Sequence, residues 1–504
     1  METVKDESAD KVVMRLRAAV ESGRTTELSW RARQLAALEA MLAECSGAME
    51  AAITADIGRH GLEAYLTEIY AVAREVRALR RNLWRWARTR RVATPLVLRP
   101  AHSRLDRVPL GVVLVVGPWN YPLNLLLAPL AAALAAGNAA ILKPSEHAPA
   151  CSALLAELVP TYLGGDGVAV VEGGPAETGA LIDAGVDHVF FTGSAAVGRL
   201  VLERAAPRLT PVTLELGGKS PVVIGDGADL EVAARRVAWG KFLNAGQSCI
   251  APDYVLAPSR VARTFAEAVA AAANELYGAD PAANPDYGRI VNAAHLERLA
   301  ALLSGHGGEV VSGGAVIAER RYVAPTIIYA PDDRAPLMDE EIFGPILPVI
   351  PIEGEGHARR FLAERPAPLA LYYFGRERNG RDFIAGTRSG TACINTVMHQ
   401  FASSKLPFGG VGESGIGHYH GRYGLERLSQ LRPVLIKAPH PDFRFAYPPY
   451  SATKERLVRA GLGLLARPPR RARLKSETGP PPRPHDEAVV GEVPQLDALD
   501  GRDA

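Results

Sequence analysis

Two short segments carry the groups best able to do covalent chemistry. Asn244-Ala-Gly-Gln-Ser-Cys249 offers a thiol in a loop of small and polar residues, where a substrate can come close to the backbone. Val212-Thr-Leu-Glu-Leu216 is an apolar run broken by one carboxylate, Glu215, and turned out by Gly217-Gly218. A thiol nucleophile and a carboxylate that activates water are the two protein groups needed to take a carbonyl compound to an acid through a thioester. Cys249 follows the helical pattern 229–242 through polar residues, which argues against a packed thiol. Asn120, in Gly117-Pro-Trp-Asn-Tyr121-Pro, adds an amide that could hold an oxyanion or simply form a turn.

The literal GxGxxG, Gly410-Val-Gly-Glu-Ser-Gly415, follows Ser403-Ser-Lys-Leu-Pro-Phe408 rather than an apolar strand, and no convincing helix follows it. A phosphate cradle needs both, so a tight structural loop is the better reading. Val189-Phe-Phe-Thr-Gly193-Ser194-Ala-Ala-Val-Gly198 is a better cradle: a strand runs into Gly193, and Ser194 can cap a helix whose free amides would face a pyrophosphate. Lys143-Pro-Ser-Glu146 follows a strand at the carboxyl edge of a sheet, where the two charged residues could hold ribose hydroxyls or merely form a solvated ion-pairing loop. Glu341-Ile-Phe343-Gly-Pro could hold a second ribose and back a nicotinamide ring, or simply end a helix. A free thiol has a pKa of about 8.5, and the positive charge of an oxidised nicotinamide could supply the field that ionises Cys249.

These residues need elements to position them. Residues 1 to about 90 read as helices, with Leu35, Leu38 and Leu42 on one face, Ile53 and Ile57 on another, and Tyr65, Ile69 and Val72 on a third. Leu110–Val116 is a continuous apolar run, the mark of a buried strand; a helical stretch 123–136 follows, with Gly137-Asn138 as its stop and Ala139–Leu142 as the next strand. Further strands are expected at 168–171 and 186–191. A second alternating stretch has a helix capped by Asp229 running to Phe242, a strand at 253–256, a helix at 261–277, strands at 322–328 and 368–374, and a helix near 377–387. Alternation of this kind predicts two α/β domains with parallel sheets. After Tyr447-Pro-Pro the text becomes rich in Pro and Arg, with one short amphipathic stretch at 457–465, and disorder is expected from about 467 onward.

With 504 residues, 48% hydrophobic, 22% charged and a net charge of +2, the chain has the composition of an ordinary globular protein and no global drive toward nucleic acid or anionic membrane. The arginine cluster Arg80–Arg91, interrupted by Trp84 and Trp86, reads as a solvated helix end more than as a partner surface. Four cysteines without CxxC spacing suit a reducing cytoplasm, with Cys45, Cys151 and Cys393 read as packed. Met1-Glu-Thr-Val-Lys-Asp-Glu does not begin a signal peptide, and the apolar stretch Leu125–Ala136 is too short to span a bilayer. His418-x-His420 lacks the further ligands a metal would need, so no metal is expected.

Gly117-Pro-Trp-Asn-Tyr-Pro, Leu142-Lys-Pro-Ser-Glu, Phe191-Thr-Gly-Ser, Leu214-Glu-Leu-Gly-Gly-Lys-Ser, Gly246-Gln-Ser-Cys, Glu341-Ile-Phe-Gly-Pro and Pro407-Phe-Gly-Gly-Val-Gly-Glu-Ser-Gly occur here in the order of the aldehyde dehydrogenase family, which the chain resembles over roughly residues 10 to 448. Ile69-Tyr, Trp239-Gly-Lys-Phe, Tyr419-His-Gly and Tyr447-Pro-Pro are most similar to its class 3 branch of fatty and aromatic aldehyde dehydrogenases. The resemblance implies two Rossmann-type open parallel-sheet domains and a small β arm. They would be an NAD(P)-binding domain at 1–90 and 108–214, a catalytic domain at 215–398, an oligomerisation arm at 91–107 and 399–448, and a tail at 449–504. It implies a homodimer in which Cys249 attacks an aldehyde, Asn120 and the Cys249 N–H hold the oxyanion, and Glu215 activates water. It places Lys143 and Glu146 at the adenosine ribose, Glu341 at the nicotinamide ribose, Phe343 against the ring and Gly193, Ser194 and Gly198 at the pyrophosphate. Tyr70, Tyr121, Trp239 and His420 would line the aldehyde funnel.

Two departures stand out. Class 3 relatives carry a glycine where this loop has Ala196, which would restrict the turn and bear on coenzyme choice. Glu146 should favour the free 2′-hydroxyl of NAD, with NADP as the alternative. Membrane-bound relatives end in an apolar anchor that is not seen here, so a soluble protein is expected. Rival readings are a CoA-acylating dehydrogenase, which retention of Glu215 opposes; a cofactor-independent cysteine hydrolase, which needs a histidine base; and an inactive structural protein, which should have lost Cys249 or Glu215.

Overall fold

A computed structural model describes residues 7–165, 167–442, 444 and 447–465. The chain divides into a large unit, Met1–Ile436, and a small one, Lys437–Ala504. The large unit opens with helices Ala9–Glu21, Leu28–Glu44, Ser46–Ile57 and Tyr70–Ala87. Leu35, Leu38, Leu42, Ile53 and Ile57 are all buried, as a 3.6-residue repeat requires of one helix face. Tyr65 departs from the face expected of it: Ile69 and Val72 are buried, whereas Tyr65 is exposed. A wide π-type turn over Tyr65–Ile69 breaks the helical phase at that point.

Val112–Val116 is central to a six-stranded sheet. It pairs in parallel with Ala139–Lys143 on one side and His188–Thr192 on the other. Val168–Val170 and Val212–Glu215 lie outside these, and Gly415–Ile416 closes one edge antiparallel to Val212–Glu215. Every residue of Val112–Val116 is buried, the unbroken apolar pattern of a strand covered on both faces. Chain order reverses between Val112–Val116 and His188–Thr192, so the connections leaving their carboxyl ends diverge and open a crevice. Gly117–Asn120 and Gly193-Ser194 leave the sheet at that crevice.

Helix Asn124–Ala136 is buried along its whole length, as its all-round apolar sequence demands. It stops at Gly137, whose φ of 91° suits glycine. A Cβ there would lie 2.5 Å from the Arg31 guanidinium. Arg31 Nη1 donates to Ala135 O at 3.4 Å, and its Nε to Thr25 O at 3.1 Å, so a buried cation closes the helix C-terminus.

A second sheet has seven strands in the order Glu309–Ser312, Thr326–Tyr329, Ile346–Ile352, Tyr254–Pro258, Pro221–Ile224, Ala370–Phe374 and Thr391–Ile394. All neighbours are parallel except the edge strand Glu309–Ser312. The helix expected from Asp229 is Leu230–Phe242, and Asp229 Oδ1 accepts from Val232 N at 3.0 Å as its cap. The single strand expected over 322–328 is instead two. Tyr322–Val323 pairs with Val316–Ile317 in a separate ribbon, and only Thr326–Tyr329 enters the large sheet. Pro325 between them has no N–H with which to continue a ladder.

A third sheet joins Arg90–Val92, Ala101–Pro109 and Ser429–Lys437, with the middle strand in the centre. Among the described residues of the segment 399–448, assigned above to the arm, only Ser429–Lys437 joins that sheet. Gly415–Ile416 edges the six-stranded sheet, and helix Gly421–Arg427 packs on Asn124–Ala136 and Tyr70–Ala87. The small unit contains helix Ala452–Leu465, so part of the tail segment 449–504 is ordered; the disorder expected from 467 onward lies outside the described residues. Among the described residues no helix is long and apolar enough to cross a membrane.

Candidate active site

Cys249, Glu215 and Asn120 line one cavity of about 1640 Å³ in the large unit. Glu215 ends strand Val212–Glu215, between Thr192 of the neighbouring parallel strand and Gly415 of the edge strand. Cys249 follows helix Leu230–Phe242 through a tight turn in which Asn244, Ala245 and Gly246 take φ of 51°, 52° and 77°. Left-handed conformations are costly for residues with a Cβ and persist only where the surroundings hold them. Here Glu63 Oε1 accepts from Asn244 N at 3.0 Å, and Asn244 Nδ2 donates to Asn120 O at 3.0 Å. Gln247 Nε2 donates to Arg289 O at 2.9 Å, and its Oε1 accepts from Val291 N at 3.0 Å. Gly246 has no room for a side chain, since a Cβ would lie 2.3 Å from Gly344 O. Asn120 Nδ2 donates to Gln247 O at 3.0 Å, which sets the carboxamide beside the thiol loop. An amide carries two N–H bonds, so the second is left for a ligand.

The charges around the thiol are unfavourable to a thiolate. Burial pushes the Cys249 thiol up, and the carboxyls of Glu341 and Glu215 push it further, against the weaker pull of the N–H groups of Cys249 and Ile250. Burial likewise raises the Glu215 carboxyl well above the ordinary range, opposed by Arg427. Neither oxygen of Glu215 has a hydrogen-bond partner among the described protein atoms. A buried carboxyl with no hydrogen-bond partner, on a residue that lines the cavity, suits a group that takes a proton from water.

The same cavity takes in Lys143, Glu146, Gly193, Ser194, Glu341 and Phe343. Lys143 Nζ donates to Pro144 O at 2.7 Å and to Gly173 O, and burial lowers its pKa. Glu146 is exposed at the cavity rim. Ser194 Oγ accepts from Val197 N at 3.3 Å, capping helix Ala195–Ala205 so that its first amides open toward the cavity. Two expectations change here. Gly198 does not line the cavity: it sits on the buried side of that helix, where a Cβ would lie 2.8 Å from Leu216 Cδ2. Ala196 does not restrict a turn, because it lies in the first turn of the helix, where alanine is favoured over glycine.

Of the four residues expected in an aldehyde funnel, Tyr70 and His420 line a separate, smaller cavity of about 310 Å³. Trp239 adjoins it through His399, on which its ring stacks at 5.3 Å. Tyr121 lines neither cavity and is buried beneath the Arg59 guanidinium, 4.6 Å from its ring centroid. Tyr419 is buried with its ring edge-on to His420 at 4.4 Å; burial raises its phenol pKa, and the charges of Glu215, Cys249 and Glu75 raise it further. His420 is kept neutral by burial, with a pKa lowered to about 3. Among the described residues no cluster of His, Cys, Asp and Glu is placed to hold a metal.

Glu75 lies in the wall of the smaller cavity and accepts from Gly421 N. Burial raises its carboxyl to about 7, against the pull of Gly421 N–H and Arg74. In the unfolded chain this carboxyl ionises near 4.5. Below that pH both states hold the proton; between 4.5 and 7 only the unfolded chain gives it up, and stability falls as pH rises. Glu75→Gln keeps the acceptor and cannot ionise. Its unfolding free energy should therefore gain on that of the parent as pH rises from 5 to 8, by on the order of 3 kcal/mol at the upper end. A gap between the two proteins that does not change with pH would show that Glu75 is ionised in the fold.

Several residues at the site were not singled out by the sequence. Arg298, in helix Ala293–Ser304, donates from Nη2 to Ile342 O at 2.6 Å and from Nη1 to Glu341 O at 3.3 Å. Lys219 Nζ donates to Asp253 Oδ2 at 2.6 Å and to Glu340 O at 2.8 Å, while Asp253 Oδ1 accepts from Ile342 N at 3.1 Å. Together they hold the loop that carries Glu341, whose carboxyl is raised to about 8 by burial and then by Asp253. Phe343 has a φ of 46° and meets Trp119 edge-on at 5.4 Å. Trp119 and Lys219 stand inside motifs quoted above; Arg298 and Arg427 stand in plain helical text, where nothing distinguishes them from surface arginines.

Comparison with known proteins bears on this arrangement as a whole. The profile described as Aldehyde dehydrogenase family matches residues 1–434. Aldehyde dehydrogenase family 3 member A2 of Mus musculus is 43% identical over 448 residues, covering 88% of this chain and 92% of its own. The dimeric NADP-preferring aldehyde dehydrogenase of Canis lupus familiaris is 40% identical over 449 residues, covering 88% of this chain and 99% of its own. The solved structure of Staphylococcus aureus AldH in a substrate-bound state superposes with a TM-score of 0.87 at 37% identity, over 90% of this chain and 100% of that one. The chain belongs to the aldehyde dehydrogenase family and is an NAD(P)-dependent oxidoreductase.

Proposed function

We propose that this enzyme oxidises an aldehyde to its carboxylic acid through a thioester on Cys249, with Glu215 as the base that activates water. The observation that carries the reading is the meeting of Cys249, Glu215 and Asn120 at one cavity large enough for a dinucleotide. Cys249 Sγ adds to the carbonyl carbon, and the oxygen takes up the charge beside the second N–H of Asn120 and the N–H of Cys249. A bound oxidised nicotinamide dinucleotide supplies the hydride acceptor and a positive charge that offsets the raised pKa of the thiol. Glu215 then takes a proton from water as the water oxygen attacks the thioester carbonyl, and the thiolate of Cys249 leaves.

The cavity residues fit such a coenzyme. Phe343 and Glu341 are part of the lining, and the capped helix Ala195–Ala205 presents free amides suited to phosphate oxygens. Lys143 and Glu146 suit the adenosine ribose, and we read the coenzyme as NAD because the Glu146 carboxylate would repel a 2′-phosphate. Glu146→Gln should raise the use of NADP relative to NAD by roughly tenfold, the equivalent of about 1.4 kcal/mol. An unchanged ratio of kcat/KM for the two coenzymes would place the choice elsewhere. No histidine is hydrogen-bonded to the Cys249 thiol among the described residues, which favours this reading over a cysteine hydrolase.

We read the substrate as a medium- or long-chain aliphatic or an aromatic aldehyde whose tail, extending from Cys249, would reach the smaller cavity, walled in part by Leu66, Tyr70, Ala128 and Phe401. Each methylene moved from water to such a site contributes about 0.8 kcal/mol. Rates of coenzyme reduction should therefore show kcat/KM rising about fourfold per methylene until the cavity is full, with benzaldehyde also accepted. A preference for acetaldehyde over decanal would refute the assignment of substrate class. We read the three-stranded sheet as the contact of a homodimer, because it exposes Leu431, Leu435 and Ile436. Four free thiols suit the reducing cytoplasm.

A further inference from the structure

Arg59 heads the fully buried side chains by volume among the described residues, yet it belongs to none of the motifs that mark the site. Its guanidinium is shared between two acids and the loop that carries Asn120. Nη2 donates to Asn120 O at 2.6 Å and lies 2.9 Å from Glu68 Oε1. Nη1 donates to Thr67 Oγ1 at 3.0 Å, Nε lies 3.6 Å from Glu63 Oε1, and the planar group covers the ring of Tyr121. A buried ion pair of this kind is poor evidence of stability in itself, because desolvation offsets much of the attraction. Its geometry says more. Glu68 Oε2 accepts from Leu123 N at 2.8 Å and Asn124 N at 3.1 Å, so the Arg59–Glu68 pair grips the segment 120–124 at both ends. Glu63 grips the thiol loop through Asn244 N, and Asn244 Nδ2 shares Asn120 O with Arg59. The side chain of Asn120 spans the gap between the two loops by its bond to Gln247 O.

We propose that Arg59 is a positioning residue for Asn120, fixing the peptide from which the carboxamide projects so that its free N–H stays aimed at the oxygen of the adduct on Cys249. The inference rests on the reading of Asn120 as an oxyanion donor. Arg59 touches no reacting atom; it acts through the Asn120 carbonyl and the Tyr121 ring. A lysine keeps the charge but cannot make the planar, forked set of contacts that the site uses.

The test is a double-mutant cycle on the full-length enzyme with saturating NAD and a medium-chain aldehyde, read as the rate of the first turnover of coenzyme reduction. Asn120→Ala should slow that step about 10²-fold, the ordinary effect of losing an oxyanion donor. Arg59→Lys should slow it about tenfold, with aldehyde KM and coenzyme affinity held within about twofold, and should have no further effect in the Asn120→Ala background. A tenfold loss that persists without the Asn120 side chain, or a first turnover unchanged in Arg59→Lys, overturns the proposal. Full speed in Asn120→Ala itself overturns the oxyanion reading beneath it, a result distinct from either. Thr67→Val removes one Arg59 hydrogen bond and leaves the charges paired. Should Arg59→Lys fail to fold, Thr67→Val decides: a loss of about threefold confined to the background with Asn120 supports the proposal, and an unchanged rate overturns it.

Discussion

Cys249→Ala is expected to abolish coenzyme reduction from any aldehyde, a fall of at least about 10⁴-fold, while coenzyme binding and the fold remain intact. The size of the effect follows from what the thiol does. Without Sγ no covalent bond forms to the carbonyl carbon, and a hydrated aldehyde must give up its hydride unassisted. The fold should tolerate the change because Cys249 is only partly buried at a cavity wall, where removing one sulfur leaves no closed void. Cys45, Cys151 and Cys393 act as internal controls. Cys151 is buried with its thiol pKa raised by burial, and the Cys393 thiol donates to Gln400 Oε1 at 2.9 Å; neither lines the large cavity. Alanine at Cys45 should leave turnover within about twofold of the parent. Activity retained in Cys249→Ala would remove this residue as the nucleophile.

Glu215→Gln is expected to split the reaction in two. The first turnover should persist as a burst of reduced coenzyme, because the thiol and Asn120 are untouched. Steady turnover should then fall by about 10²–10⁴-fold, because the amide cannot take a proton from water. The parent should gain turnover as pH rises. Its Glu215 carboxyl is raised well above 4.5, so the protonated, inactive form extends upward in pH, and the fraction able to act as a base grows as the proton is lost. That pH limb should vanish in the Gln variant. A steady rate unaltered by the substitution would reassign the base, and Glu341, with its carboxyl at about 8 in the same cavity, would be the next residue to change.

Much of the site was legible because its chemistry sits in loops that only certain residues can form. Gly117-Pro, Gly193-Ser194 and Gly246-Gln mark points where a strand must turn or a backbone must approach closely; the first two line the large cavity, and the third leads to Cys249 in its wall. Buried parallel strands such as Val112–Val116 betray themselves as unbroken apolar runs, and Asp229 announces the start of its helix. Single long-range contacts were not legible. Arg59 reads as a surface residue, four positions before Glu63 as in an ordinary helical ion pair, until the fold brings Glu68 and Asn120 around it and buries the group. Arg298 gives no sign in its helix that it holds the Glu341 loop. The face of Tyr65 was misplaced because a 3.6-residue repeat cannot foresee a π-type turn. Gly198 fell within a plausible phosphate loop, but the helix turns it against Leu216, where close packing explains the glycine instead. Of the residues expected to line a funnel, Tyr70 and His420 share one cavity, whereas Tyr121 packs in the Arg59 cluster.

The central claim is a thioester on one sulfur, made beside one carboxylate. Glu215→Gln enzyme should be mixed with NAD and decanal, quenched in acid within the first turnover, digested and weighed by mass spectrometry. The account predicts a decanoyl group on the peptide containing Cys249, approaching one per active site and matched by an equal burst of reduced coenzyme. An unmodified Cys249 peptide alongside that burst, or an acyl group on Cys45, Cys151 or Cys393 instead, would contradict it.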